Sequence, residues 1–269
     1  MQKITHPYAI TLALVSFLSY AMPVWAKPDA TFSNIPASLQ VHFAQPPLPD
    51  NGTPTGRPRG AAGRGNCTLN PPLTALVPVI EKNLGKVQGK VAYVWGKTVA
   101  EYPTFWFYVP YSHTSLRSVE FVLQDAEDND VYRTHVSLPR MPGVVSLRLP
   151  STSTPLKIGK MYHWFFKIKA NCDSPKLTDV KDYVDGWVQR VMLSPTLKSQ
   201  LEAATPQQRI ALYATNGIWY EALTTLATLR LVNLEDASLR ADWTSLLQSA
   251  NLVYIASKPI VSTALLCKK

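Results

Sequence analysis

Between about Val87 and Met192, apolar and polar residues alternate with the two-residue period of strands that have one covered face. Residues 105–109 are aromatic and β-branched. Residues 119–124 and 131–136 flank the polar stretch 125–130, which is a hairpin signature with a longer turn. Residues 144–149 alternate and stop at Pro150, residues 162–168 (YHWFFKI) and 183–192 (YVDGWVQRVM) are two further strands, and another falls near 90–94. About seven strands with turn signals between them and no intervening helix predict an antiparallel β-sandwich, with an immunoglobulin-like topology as one candidate. The Cys…Trp…Cys spacing of true immunoglobulin domains is absent in its usual form.

From Pro195 the period turns helical. Ser194-Pro195 and Thr205-Pro206 each supply an N-cap followed by proline at the first helical position. Helices are predicted over 196–203, from 206 with Ile210, Leu212 and Tyr213 on the apolar side, over 219–231, and over 239–247 with Trp243, Leu246 and Leu247 on one face. Gly217 offers a break between the second and third. The fold class is therefore mainly β with appended α: a sandwich over 67–193, a helical hairpin region over 194–258 and a tail over 259–269.

The N-terminal third reads differently. Lys3, the apolar stretch 10–20 and small residues at Val24 and Ala26 form the pattern of a secretory signal over 1–26, cut before Lys27. The apolar run is shorter than the roughly 20 residues of a spanning anchor. A retained anchor is the competing reading. No later segment is apolar and long enough to span a bilayer. Residues 27–66 are rich in Pro, Gly and polar residues without a hydrophobic period, the composition of a disordered linker. An apolar stretch at 73–80 follows, where Pro78 argues against a continuous helix.

Charge sharpens this only partly. The chain has 27 Lys+Arg against 18 Asp+Glu, a net +9, and one less once Lys3 leaves with the signal. Such a balance favours acidic surfaces, anionic glycans or membranes without selecting one. Arg57, Arg59 and Arg64 sit in a Gly/Pro-rich stretch similar in composition to nucleic-acid-binding arms. In an exported protein a solvated linker is the better reading, and no nucleic-acid partner is expected. Cys67, Cys172 and Cys267 form no CxxC pair and so no zinc motif. In an oxidising compartment Cys67 and Cys172 are the expected disulfide, pinning the linker to the β-domain, with Cys267 left over; three free thiols are the alternative.

Candidate chemistry is sparse. No Gly-x-Ser-x-Gly elbow, phosphate loop or dinucleotide fingerprint occurs, and no cofactor or metal is expected. Asp125, Glu127, Asp128 and Asp130 could bind calcium but lack the EF-hand glycine and closing glutamate, and a solvated turn explains them. Lys160, His163, Asp185, Gln189 and Arg190 are polar residues inside strongly patterned strands and could share one patch on the sheet. Trp106, Tyr108 and Tyr111 belong to an aromatic stretch that could offer a glycan- or peptide-binding platform, although half of any strand must be core.

Several phrases carry a resemblance: 63–67 (GRGNC), 73–78 (LTALVP), 103–111 (PTFWFYVPY), 120–125 (EFVLQD), 159–166 (GKMYHWFF) and 186–191 (GWVQRV). Together they resemble the exported bacterial family catalogued as domain of unknown function 928, abundant in cyanobacteria, over about 63–255. The resemblance implies such a host and a periplasmic or cell-surface location, and transfers no catalytic residue. Residues 209–223 also look like the turn and second helix of a tetratricopeptide repeat, in a single copy.

The expectation is an exported, non-enzymatic interaction or envelope-associated protein whose partner is a protein or an envelope component. A carbohydrate-binding module is the second reading. The third is a hydrolase built on His163 with Asp125 or Asp185, which requires those groups to converge in one pocket.

Overall fold

In the computed structural model, residues 38–50, 53–60, 69–83, 90–171 and 180–261 are described, all within the unit Pro36–Lys269. The expected signal, Arg64, all three cysteines and most of the tail lie outside the described residues. Among the described residues nine strands precede four α-helices: β1 Thr74–Ala75, β2 Val79–Asn83, β3 Lys90–Thr98, β4 Thr104–Val109, β5 Leu116–Gln124, β6 Asp130–His135, β7 Gly143–Arg148, β8 Met161–Ala170, β9 Val180–Arg190, α1 Pro195–Ala203, α2 Pro206–Thr215, α3 Trp219–Val232 and α4 Ala237–Ser249, with a short 3-10 turn at Val253–Ile255. The molecule is mainly β with C-terminal helices, as the periodicity predicts.

The strands form two sheets, one of order β1-β4-β7 and one of order β2-β3-β9-β8-β5-β6. All pairs are antiparallel except β3 with β9, where Trp95 lies opposite Trp187 and Thr98 opposite Arg190. The inner faces meet through rings: Phe107 stacks on Phe166 at 4.1 Å, and Phe105 and Phe107 lean on Phe121 and Trp164. Alternation on β8 and β9 is nearly strict, with Trp164, Phe166, Ile168, Val184 and Val188 buried between sheets.

β4 departs from alternation, because both its faces are covered. Phe105 and Phe107 face the large sheet, while the Trp106 indole donates to the Thr224 hydroxyl of α3 at 3.0 Å. Helices α2, α3 and α4 therefore form a third layer over the small sheet and share its core rather than trailing from it, while Leu197 and Leu201 of α1 pack with Ile218 in a separate cluster. Three consecutive residues at the start of α3 dock it: the Trp219 indole donates to the Leu76 carbonyl, Tyr220 takes the Trp164 indole N–H at 3.1 Å, and Glu221 binds the end of β3. Helix α2 ends at Gly217, whose φ of +70° is the left-handed cap that glycine favours. Thr205 and Gln208 cap its start reciprocally.

The described parts of the expected linker differ most from the sequence reading. Val41 and Phe43 are only 2 % exposed, and Phe43 packs edge-on against Trp219 at 4.9 Å. Residues 54–57 add to the large sheet where β3 and β9 diverge: Val94 donates to the Pro54 carbonyl, Gly56 to the Ala92 carbonyl, and Arg57 and Asp185 exchange two backbone hydrogen bonds; residues 58–60 run on beside β1 of the small sheet, Ala75 donating to the Pro58 carbonyl and Gly60 to the Leu73 carbonyl. The composition is that of a free linker, but this opening offers its backbone partners no linker would have. At the other end, the part of the tail that is described pairs with β7, Val144 donating to the Pro259 carbonyl and accepting from Val261.

Candidate functional site

β8 and β9 pair so that His163 lies opposite Trp187 and Phe165 opposite Asp185. Partners in register share a face, so Tyr183, Asp185, Trp187 and Gln189 stand with His163, Phe165 and Lys167 on the side of the large sheet away from the core. There His163 Nε2 lies 2.9 Å from Asp185 Oδ2. Its ring stacks on Trp187 at 4.3 Å and 9° and leans on Phe165 at 4.1 Å. Around this cluster sit cations over rings: the Arg57 guanidinium over Tyr183 at 4.4 Å and the Lys167 ammonium over Phe165 at 5.1 Å. The inserted segment forms one border, with the Trp187 indole donating to the Thr55 carbonyl at 3.0 Å.

Of the residues singled out from the sequence, this face gathers His163, Asp185 and Gln189. Gln189 leans toward the preceding loop, its amide donating to the Gly159 carbonyl at 3.4 Å. Arg190 has the opposite parity on β9 and ties loops together, binding the carbonyls of Leu156 and Val99 and the Glu101 carboxylate. Lys160 lines a separate cleft of about 280 Å³ with Asp125, Glu127, Lys157 and Tyr162.

Trp106, Tyr108 and Tyr111 are 5, 6 and 4 % exposed, so the aromatic platform expected from them is interior. The helical layer covers the face of β4 that would otherwise be open. Burial pushes the Tyr108 hydroxyl's pKa up; at Tyr111, burial is joined by the Asp182 carboxylate, which accepts its proton at 2.9 Å. On this face the aromatic residues that reach the surface are Phe165, Trp187 and the 40 % exposed Tyr183. The same two-residue period that selects His163 and Asp185 selects them too, since they share its parity.

The arrangement can hold a ligand by ring faces, ring edges and one hydrogen-bonding pair. Among the described residues no Ser, Thr or Cys bonds to His163, and Asp125 is occupied in its own hairpin, accepting from the backbone of Glu127 and Asn129. Those bonds hold its carboxyl below the usual range, the Asn129 backbone foremost. No group of three or more His, Cys, Asp or Glu among the described residues is placed to hold a metal ion, and no described helix is long and apolar enough to cross a membrane. A second cleft, of about 520 Å³, lies between Arg59, Glu81 and Tyr254, where Arg59 Nε donates to the Tyr254 hydroxyl at 2.9 Å.

Comparison with known families matches residues 59–260 to the family described as Domain of Unknown Function (DUF928). No curated protein and no solved structure matches the chain at a significant level.

Proposed function

We propose that this chain, which belongs to the family described as Domain of Unknown Function (DUF928), is an exported, non-enzymatic binding protein of the cell envelope that holds its ligand on the outer face of the large sheet. The observation that carries this reading is the His163–Trp187–Phe165 cluster with Tyr183 beside it. Aromatic rings on an outward sheet face, ringed by cations and joined to one carboxylate, are a recognition surface more than a packing one. Export is supported by the leader pattern over 1–26, which favours a periplasmic or extracellular location for the working protein.

The test is affinity capture from the host's envelope fraction with the full chain and its Trp187→Ala variant. The reading expects an envelope component retained by the former and lost by the latter, and N-terminal sequencing of the exported protein should begin at Lys27. Equal capture by both proteins, or an uncleaved protein inside the cell, contradicts it.

Carbohydrate binding is the second reading. It is favoured by the ring pair His163–Trp187 standing next to the hydrogen-bonding Asp185, since sugars present apolar ring faces and hydroxyl groups together. The hydrolytic reading gains the 2.9 Å His163–Asp185 pair but no nucleophile or second carboxylate bonded to that histidine.

A further inference from the structure

The outer face carries a charge arrangement that folding does not explain. Lys169 of β8 and Lys181 of β9 are direct cross-strand partners, and the β5 residue on the other side of Lys169 is Ser118. Like charges directly opposite each other destabilise a sheet. Both are exposed, and neither makes an ion pair among the described residues. One step along the same strands lies the next outward pair, Lys167 with Tyr183, and beyond it Phe165 with Asp185 and then His163 with Trp187. Arg57 lies over Tyr183, and Lys97 over the ring of Trp95, which stands opposite Trp187 on β3. Cations thus line one end and the flanks of an aromatic strip. The carboxylates there are mostly committed: Glu120 is held by Arg133 at 2.8 Å and Lys167 at 4.0 Å, and Asp185 by His163.

We infer that the ligand of this face is an anionic polysaccharide, its acidic groups meeting Lys169, Lys181, Lys167 and Arg57 and its sugar rings lying along Tyr183, Phe165 and Trp187. The inference rests on the binding face proposed above and adds the ligand's chemical class. A strip of rings flanked by ammonium groups, of which Lys169 and Lys181 make no ion pair among the described residues, matches an extended polymer with regularly placed negative charge. A bilayer is disfavoured because the exposed aliphatic side chains, Met192 and Leu234 among them, lie off these strands, so that among the described residues the face exposes rings, Tyr183 foremost, and no aliphatic wedge.

The experiment measures binding of the full chain to immobilised polygalacturonate and to a sulfated polysaccharide, against neutral dextran, phosphatidylglycerol vesicles and duplex DNA. The variants are Lys181→Glu, Trp187→Ala and, as a control on the helical side, Lys258→Glu, whose ammonium lies over Tyr108. Expected are selective retention of the acidic polysaccharides, weakening by salt, and about tenfold loss of affinity in Lys181→Glu with none in Lys258→Glu. Lys181→Glu also replaces a like-charge pair by an opposite one, so it should unfold no earlier than the parent; loss of binding with undiminished stability separates recognition from packing. Dextran bound as well as the acidic polymers, with Lys181→Glu silent and Trp187→Ala defective, overturns the ligand class and keeps the face. Preference for vesicles or DNA overturns the polysaccharide. Polysaccharide binding untouched by either face variant overturns the inference and the binding face together.

Discussion

Glu221 Oε1 lies 2.6 Å from the Thr98 hydroxyl, and this bond joins the first turn of α3 to the last residue of β3. The same oxygen takes the backbone N–H groups of Val99 and Ala100 at 3.1 Å each. A single carboxyl thus closes the end of a strand of the large sheet and fixes the helical layer to it, while its second oxygen is buried without a hydrogen-bond partner among the described residues. Losing the acceptor strands three donors around a dry site, so Glu221→Ala should lower stability by about 3 kcal/mol, measured as a shift in urea midpoint.

The same residue gives the fold a pH dependence of defined sign. Burial pushes the Glu221 carboxyl above its ordinary 4.5, outweighing the three donors that favour its charged form. A raised acid in the folded state is fully compatible with folding below its ordinary value and costs stability as pH climbs through the raised one. Glu221→Gln keeps an oxygen for the three donors and cannot ionise. Surface carboxylates such as Asp130, held low by Arg133, slope the other way, so the informative quantity is the difference between parent and variant. The stability of Glu221→Gln relative to the parent should rise with pH from about 4.5 upward; a difference that stays flat from acid to neutral pH would mean the carboxyl titrates as if exposed.

Phe43 decides whether the segment before the first strand belongs to the folded body. Its ring is 2 % exposed against Trp219, and its backbone N–H is taken by the Ser249 hydroxyl at 3.0 Å. Phe43→Ala should cost about 3–5 kcal/mol. A thermal midpoint indistinguishable from the parent would return the segment to the free linker its composition suggests.

What was legible from the sequence, and what was not, follows from where the ordering information resides. β8 and β9 announce themselves because Trp164, Phe166, Ile168, Val184 and Val188 alternate with polar or half-exposed residues on strands with one wet face. β4 deceives for the same reason: alternation assumes solvent on one side, and nothing within residues 104–109 reveals that α3 covers Trp106. The sheet addition by residues 54–57 is encoded in the gap between β3 and β9, not in its own Pro- and Gly-rich composition. The parallel pairing of those two strands is equally non-local. The candidate site was half visible. His163 and Asp185 can be picked as polar residues in strands, but their meeting depends on the β8–β9 register, and no tight two-residue turn sets that register in the sequence.

Gly186 tests the closeness of the sandwich. It stands opposite Trp164, and a Cβ there would fall 2.6 Å from both Trp164 Cζ2 and Val94 Cγ1 and 2.8 Å from the Val94 carbonyl oxygen. Trp164 cannot simply swing away, because its indole is bonded to Tyr220 of α3. Gly186→Ala should destabilise by about 1–3 kcal/mol through overpacking, read from denaturant midpoints, whereas an unchanged midpoint would show that the sheets meet less tightly.

Two tryptophans separate core from candidate ligand surface. Trp106 is buried beneath α3 and spends its N–H on Thr224; Trp187 is half-exposed on the outer face and spends its own on the Thr55 carbonyl. Trp106→Ala removes a large side chain from between two layers and should cost about 3–5 kcal/mol. Trp187→Ala gives up stacking on His163 and one hydrogen bond at a partly solvated site, so about 1–2 kcal/mol is expected. Paired urea titrations check the contrast. If both variants unfold alike, Trp187 is as much a part of the core as Trp106, and the outer rings lose their claim to being a surface kept for something else. If the contrast holds, the rings on β8 and β9 are the ones free for the proposed binding, and Trp106 serves to clamp α3 to the small sheet.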